Sequence, residues 1–236
     1  MGDKRAKHEQ VRGMFNDIAP RYDVMNRLMS LGMDRSWRRA TVEMAAAERP
    51  KAILDIATGT GDLAIQLARG IEGARVTGVD LSEGMIEAGR RKVAEAGLQD
   101  RVDLRNADAL ALPFADNSFD VITVAFGVRN FEHLDAGYAE MHRVLRPGGL
   151  LLVLELTPPA SAVVRPFYRL YTRGVIPAVG RMVSGSSRAY AYLPESIEAV
   201  PARGDMTALM DAAGFAATAY RCFTMGVCTL YHGRKG

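Results

Sequence analysis

Apolar residues recur at helical spacing along the first fifty positions: Val11, Phe15 and Ile18, then Met25, Leu28 and Met29, then Trp37, Val42 and Met44. The spacing predicts helices over 10–48, broken at Pro20, whose ring removes a backbone donor. From 52 to 156 the pattern changes. Short apolar runs end at Ile56, at Asp80 and after Leu104, and two more fill Ser118–Val124 and Leu150–Leu154. Amphipathic stretches separate them, and strands alternating with helices imply a parallel sheet with crossover connections. The alternation pauses over 157–194 and then resumes. Met206–Ala213 reads as a helix closed by Gly214, and Ala217–Phe223 and Cys228–Tyr231 read as two strands joined around Met225-Gly226. The chain is expected to be one domain. It divides into a helical N-terminal cap (1–50), a core (51–156), an insertion placed as a lid (157–194) and a closing helix and hairpin (195–236).

The first strand carries the most specific chemistry. Ile53-Leu54-Asp55-Ile56 runs into Ala57-Thr58-Gly59-Thr60-Gly61, and Asp62 then opens an apolar-periodic stretch. Glycines at a strand-to-helix turn take positive φ and carry no Cβ to hold a ligand off. Asp80, at the end of the second strand, is placed to accept both hydroxyls of a ribose lying across the strand ends. The same glycine spacing fits a nicotinamide dinucleotide. Three features favour S-adenosylmethionine (AdoMet). Asp55 suits a ligand bearing an ammonium and a sulfonium and would repel a pyrophosphate. Some fifty residues precede the first strand. Asn106-Ala107-Asp108-Ala109 ends the third run, where a side chain can meet the adenine edge. The cofactor residues expected are Asp55, Thr58, Gly59, Thr60, Gly61, Asp80, Asp108 and Ala109. The fold expected is α/β, a class I (Rossmann-like) AdoMet-dependent methyltransferase, with a seven-stranded, mostly parallel sheet and an antiparallel C-terminal hairpin.

Composition narrows the partners. With 236 residues, 48% hydrophobic and a net charge of +3, the chain has ample core and too little positive charge to argue for nucleic acid. Cys222 and Cys228 have no metal-ligand spacing and read as buried thiols in a reducing compartment. No apolar leader or membrane-spanning run is present, so a cytoplasmic location is expected, with peripheral contact on the inner face of the membrane.

Residues outside the core carry a family resemblance. Phe15-Asn16-Asp17-Ile18-Ala19-Pro20-Arg21-Tyr22-Asp23-Val24-Met25-Asn26, followed by Ser30 and Trp37-Arg38, resembles the N-terminal signature of the menaquinone/ubiquinone C-methyltransferase family. Phe126-Gly127-Val128-Arg129-Asn130, Arg143–Gly149 with Glu155-Leu156-Thr157-Pro158, Tyr192–Ile197 and Ala213-Gly214-Phe215 are similar to its later stretches. Two positions depart from the pattern: Asp34 stands where the family usually has His, and Ala125 where some members carry Ser. The resemblance implies methyl transfer from AdoMet to a ring carbon of a polyprenylated quinol. The substrate is either demethylmenaquinol, giving menaquinol, or the ubiquinone-pathway 2-polyprenyl-benzoquinol, or both. The chain's length favours the first. A second copy of the chain is a further expected partner.

Such a reaction needs an activated ring carbon held in line with the methyl, so positioning and a modest base carry most of it. Arg129 and Asn130, just past the fourth strand, are expected to face the methyl. Arg129 would stabilise the developing phenolate or orient a water. Tyr22 either closes over the quinol head or packs. His133 reads as a solvated or capping residue, and Asp62 as a dipole partner or a cofactor contact. Asp103, Asp116 and Asp120 read as turn or surface carboxylates. Between Glu155 and Glu195 no acidic residue occurs, and Arg165, Arg169 and Arg173 fall on one helix face, with Phe167, Leu170, Tyr171 and Val175 largely elsewhere. Such a stripe meets anionic lipid or forms the solvated face of a lid. Two other readings compete: a methyltransferase for polar oxygen or nitrogen acceptors, which the apolar 160–193 argues against, and a non-catalytic subunit, which the intact Gly59, Gly61 and Asp80 argue against.

Overall fold

The computed structural model describes residue 9 and residues 13–19, 22–175 and 188–236, with backbone alone at 173, 175 and 188–191. Pro20, Arg181 and the side chains of Arg173 and Arg188 lie outside the described residues. The cap contains helical residues 13–18, α1 (Tyr22–Met29) and α2 (Asp34–Ala47). The core runs β1 (Ala52–Ile56), α3 (Asp62–Gly70), β2 (Arg75–Asp80), α4 (Glu83–Glu95), β3 (Val102–Asn106), β4 (Phe119–Ala125), α5 (Leu134–Val144) and β5 (Leu145–Leu156). There follow α6 (Val164–Leu170), α7 (Arg188–Glu198), α8 (Arg203–Ala212), β6 (Phe215–Phe223) and β7 (Cys228–Lys235).

The sheet order is β3-β2-β1-β4-β5-β7-β6. β1 pairs in parallel with β2 and β4, and β5 pairs in parallel with β4 but antiparallel with β7. Central strands read as continuous apolar runs because helices cover both faces. On one face Trp37, Leu63, Leu67 and Ile86 pack against Ile53, Val121 and Leu152. On the other, Tyr138, Met141, Met206 and Met210 pack against Leu54, Ile122 and Leu151. β6 closes the edge of the sheet with mostly exposed residues.

Several expectations shift in detail. Arg143–Gly149 is not a free turn: α5 passes directly into β5 at Leu145, and the register slips between Phe119 and Val121 where Arg146-Pro147-Gly148-Gly149 interrupts the ladder. Asp120 is more than a surface group. Its Oδ2 accepts the backbone N–H groups of Lys51 and Ala52, each at 2.8 Å, which ties the start of β1 to β4. Asp103 pairs with Arg105 and Asp116 with Arg143 at the surface. Cys228 is buried, but Cys222 is exposed on the edge strand; both are free. The lid helix α6 ends at Leu170, and a π-helical turn over Tyr171–Val175 follows, so Arg173 is out of phase with Arg165 and Arg169.

Candidate active site

Strand order reverses between β1 and β4, and the main cavity opens there, at the carboxyl ends of the strands, where open α/β sheets place their ligands. Its floor is Ala57 and Gly59 from the β1 turn, and its walls include Asp80, Asp108, Ala109 and Asn130. Phe15 and Tyr22 from the cap close it, with their rings edge to face at 6.1 Å. The cap is fastened here by Asn16, whose Oδ1 accepts the Ser82 hydroxyl at 2.6 Å and the Gly84 N–H at 3.0 Å.

Each residue expected to hold the cofactor is placed by local geometry. Gly59 (φ 56°) and Gly61 (φ 77°) both lie in the left-handed region, and Gly61 caps the N-terminus of α3. The Asp80 carboxylate accepts the Gly59 N–H at Oδ2 and the Ser82 N–H at Oδ1, each at 2.9 Å, so it is aimed before any ligand arrives. Burial nevertheless raises its pKa above the usual carboxylate range, with these backbone bonds opposing the rise. Asp108 accepts the Leu110 N–H at 2.9 Å, which shapes the loop after β3. Asn106 is spent on the carbonyls of Asp80 and Leu81.

A smaller, polar pocket adjoins the main cavity and shares Tyr22, Ala57, Gly59 and Ala125 with it. Asp55, Thr58 and Thr60 line this pocket rather than the larger cavity, together with Arg38 and Asp62. Asp55 is sealed at the base of the turn and accepts the hydroxyls of Thr58 and Thr123, each at 2.6 Å. Burial pushes its pKa up to about 6 against those two bonds. The Thr60 hydroxyl donates to Asp23 at 2.5 Å and accepts from Lys92. Lys92 also pairs with Asp62. Gly61 lines neither space; its part is to turn the chain where α4 passes close by. A large, mostly apolar cleft with an aimed carboxylate, continued into a small pocket of mixed charge, fits a nucleoside carrying a zwitterionic amino-acid tail.

The expected catalytic residues are not all on one surface. Tyr22 and Asn130 line the main cavity. Arg129, expected to face the methyl, is not among the residues that line it. Its side chain turns back behind the wall, pairs with the fully buried Glu155 at 2.7 Å and bonds the Phe126 carbonyl. Burial alone would lower its pKa, and the Glu155 carboxylate more than reverses that, so it stays protonated. Its Nε is buried without a hydrogen-bond partner among the described residues. Tyr22, Tyr168 and Tyr192 stand close enough to Arg129 for mutual electrostatic influence, and the Tyr192 hydroxyl donates to Asn130 Oδ1 at 3.1 Å. Sequence reasoning passed over Glu155, Tyr168 and Tyr192 as site residues. An apolar strand interrupted by Glu155 was the available signal, the counterpart of Asp55 in β1. His133 is exposed at the N-cap of α5 and makes no side-chain cap bond.

The sheet order and the glycine turn at its switch point are those of a class I AdoMet-dependent methyltransferase. The chain belongs to the ubiE/COQ5 methyltransferase family, whose model matches residues 3–235. Among relatives, it is 45% identical over 229 residues to a demethylmenaquinone methyltransferase of Bacteroides fragilis, covering 97% of this chain and 94% of the relative. It is 44% identical to a ubiquinone/menaquinone biosynthesis C-methyltransferase of Geobacter sulfurreducens, covering 98% and 90%. Among solved structures it superposes on a SAM-dependent methyltransferase from Aquifex aeolicus with a TM-score of 0.59 at 19% identity, covering 81% and 88%. It also superposes on the [4+2]-cyclase SpnF with a TM-score of 0.71 at 19% identity, covering 97% and 96%. Likeness at that identity speaks for the fold alone, since one fold hosts many chemistries.

Proposed function

We propose that this protein transfers the AdoMet methyl group to a ring carbon of demethylmenaquinol, giving menaquinol. The similarity along nearly the whole chain to a relative of that name carries the reading. The apolar cavity running from the cofactor turn to Tyr22 and Asn130 supports it. Bound AdoMet supplies a methyl already activated on a sulfonium, which leaves the chain to position the acceptor, keep water out and help a ring hydroxyl lose its proton. Because Tyr192 occupies Asn130 Oδ1, the Asn130 amide N–H groups are left to bind a ring oxygen. The protonated Arg129, buried just behind, stabilises negative charge developing on that oxygen. Tyr22 closes the cavity from the cap.

The prenyl tail has to reach the protein from a bilayer, and we infer that the lid and the cap rim dock there, on the inner face of the membrane. α6 buries no residue, and Val163, Phe167 and Leu170 are 74%, 70% and 70% exposed. Leu28 and Leu31 of the cap are also exposed, and the Tyr171 hydroxyl bonds the Met29 carbonyl at 3.2 Å, which joins the two patches. Arg165 and Arg169 flank them in solvent. Among the described residues no helix is long and apolar enough to cross a membrane, so the contact is peripheral.

The test is incubation with methyl-labelled AdoMet and demethylmenaquinol in detergent, followed by organic extraction. Label is expected in the lipid phase and is expected to be lost with Asp80→Ala. If AdoMet binds and the lipid stays unlabelled, the quinol assignment falls. The ubiquinone-pathway benzoquinol is the next acceptor, because the Geobacter relative carries both quinones in its name.

A further inference from the structure

Among the described residues Arg38 is the one strong cation on the polar pocket, and neither the ribose carboxylate nor the quinol chemistry uses it. It sits on α2, only 5% exposed, with its guanidinium 5.3 Å from the centre of the Phe126 ring. One arm, Nη1, is taken by Asp34, and Asp62 stands 4.0 Å from the same nitrogen. Asp34 is itself buried and held by the Ser30 hydroxyl at 2.7 Å. Among the described residues, Nε and Nη2 of Arg38 make no hydrogen bond, and Arg38 lines the polar pocket beside Asp55 and Asp62. A buried guanidinium on the wall of a cavity, with donors left over from its ion pair, suits an anion. Asp55 lines the same pocket, near enough for Arg38 to act on it electrostatically.

We propose that Arg38, aimed by Asp34, binds the α-carboxylate of the cofactor's amino-acid tail, while Asp55 faces its ammonium. This rests on the AdoMet reading and deepens it. The tail's two opposite charges then meet two opposite charges presented from different parts of the chain, the cap and β1. The cap becomes part of the cofactor site, and cofactor binding helps to hold it shut over the quinol cavity. Asp34 acts as a positioning residue. Its carboxylate pairs with Nη1, so the guanidinium is steered from within α2.

The discriminating pair of probes is AdoMet and decarboxylated AdoMet, which differ only in the carboxylate. Titrated into the purified protein, AdoMet is expected to bind about 10- to 100-fold more tightly, the range for one charge-assisted contact. Arg38→Met is expected to bring the two affinities together by weakening AdoMet and leaving the decarboxylated probe nearly unchanged. Arg38→Lys is expected to restore part of the preference. Asp34→Asn should shrink the preference without abolishing it. Because Arg38→Met leaves Asp34 buried and unpaired, the double variant Arg38→Met with Asp34→Asn serves if the single one does not fold. Equal binding of both probes by the unaltered protein overturns the proposal and leaves the cofactor reading standing. So does an equal loss of both in the Arg38 variant, since that is what a purely structural arginine predicts. Failure of the unaltered protein to bind AdoMet at all removes the cofactor reading instead.

Discussion

Asp55 carries a pH dependence with a definite sign. Its carboxyl titrates at about 6 in the fold against 3.8 in its ordinary state, because burial disfavours the charge more than the Thr123 and Thr58 hydroxyls restore it. A group whose pKa is raised on folding contributes its full stability below the unfolded value and loses it as pH climbs through the folded one. The ionised form therefore costs the protein roughly 3 kcal/mol above pH 6, at 1.36 kcal/mol per unit. Asp55→Asn should be more resistant to urea than the unaltered protein at pH 8, and that advantage should shrink towards pH 4. Cofactor binding runs the other way, because an ammonium ligand wants the carboxylate ionised. AdoMet affinity is expected to fall as pH drops through about 6, and the Asn variant should bind weakly with no such step. Matching urea midpoints and matching pH profiles for the two proteins would remove Asp55 from both accounts.

Among the elements, α4 works as a clamp on the glycine turn. Gly89 lies where α4 crosses β3 and the turn: a Cβ there would stand 2.6 Å from Leu104 Cδ1 and 3.1 Å from the Thr60 carbonyl carbon. The Leu104 side chain can shift, whereas the Thr60 backbone is part of the cofactor turn. One helical turn further on, Lys92 Nζ reaches Asp23 at 2.5 Å and also pairs with Asp62, tying the cap, the turn and α4 together. Gly89→Val should therefore cost about 1–3 kcal/mol of stability through overpacking. It should also weaken AdoMet by at least about 10-fold, through displacement of Thr60 and Gly59. Calorimetric titration with AdoMet beside a denaturant melt checks this, and unaltered values in both would show that the crossing has room to spare. Nothing in the spacing of apolar residues on α4 singled out Gly89, because its requirement comes from a strand and a turn packed across it.

At the scale of the whole molecule, large apolar residues are exposed on several elements: Val24, Leu28 and Leu31 from the cap, Val163, Phe167 and Leu170 at and before α6, Tyr220 on β6 and Met225 from the β6–β7 turn. Trp37 Nε1 donates to Thr224 at 3.0 Å, which brings that turn against the cap. The Tyr171–Met29 bond joins the cap leucines to the α6 group, the surface proposed above for docking. Phe167→Asp combined with Leu170→Asp should abolish flotation with vesicles rich in anionic phospholipid while leaving AdoMet affinity unchanged. If flotation persists and light scattering shows a dimer dissolving instead, the surface joins two copies of the chain and the bilayer reading fails.

The residues expected to hold the cofactor could be named from the amino-acid order because that motif is local. Asp55, Gly59, Gly61 and Asp80 lie at the ends of two successive strands, and a strand-turn-helix places them with little help from the rest of the chain. The alternation of strands and helices likewise determined the parallel sheet, and the closing helix and two short runs determined its antiparallel end. Tertiary structure alone decided which groups meet across long separations. Glu155 reaches back to Arg129, Tyr192 comes from α7 to Asn130, and Arg38 enters the polar pocket from α2. Each of these is a polar side chain whose neighbours in the chain carry no sign of its partner. The physical reason is that periodicity records which face of an element is buried, while the pairing of buried charges depends on how separate elements pack.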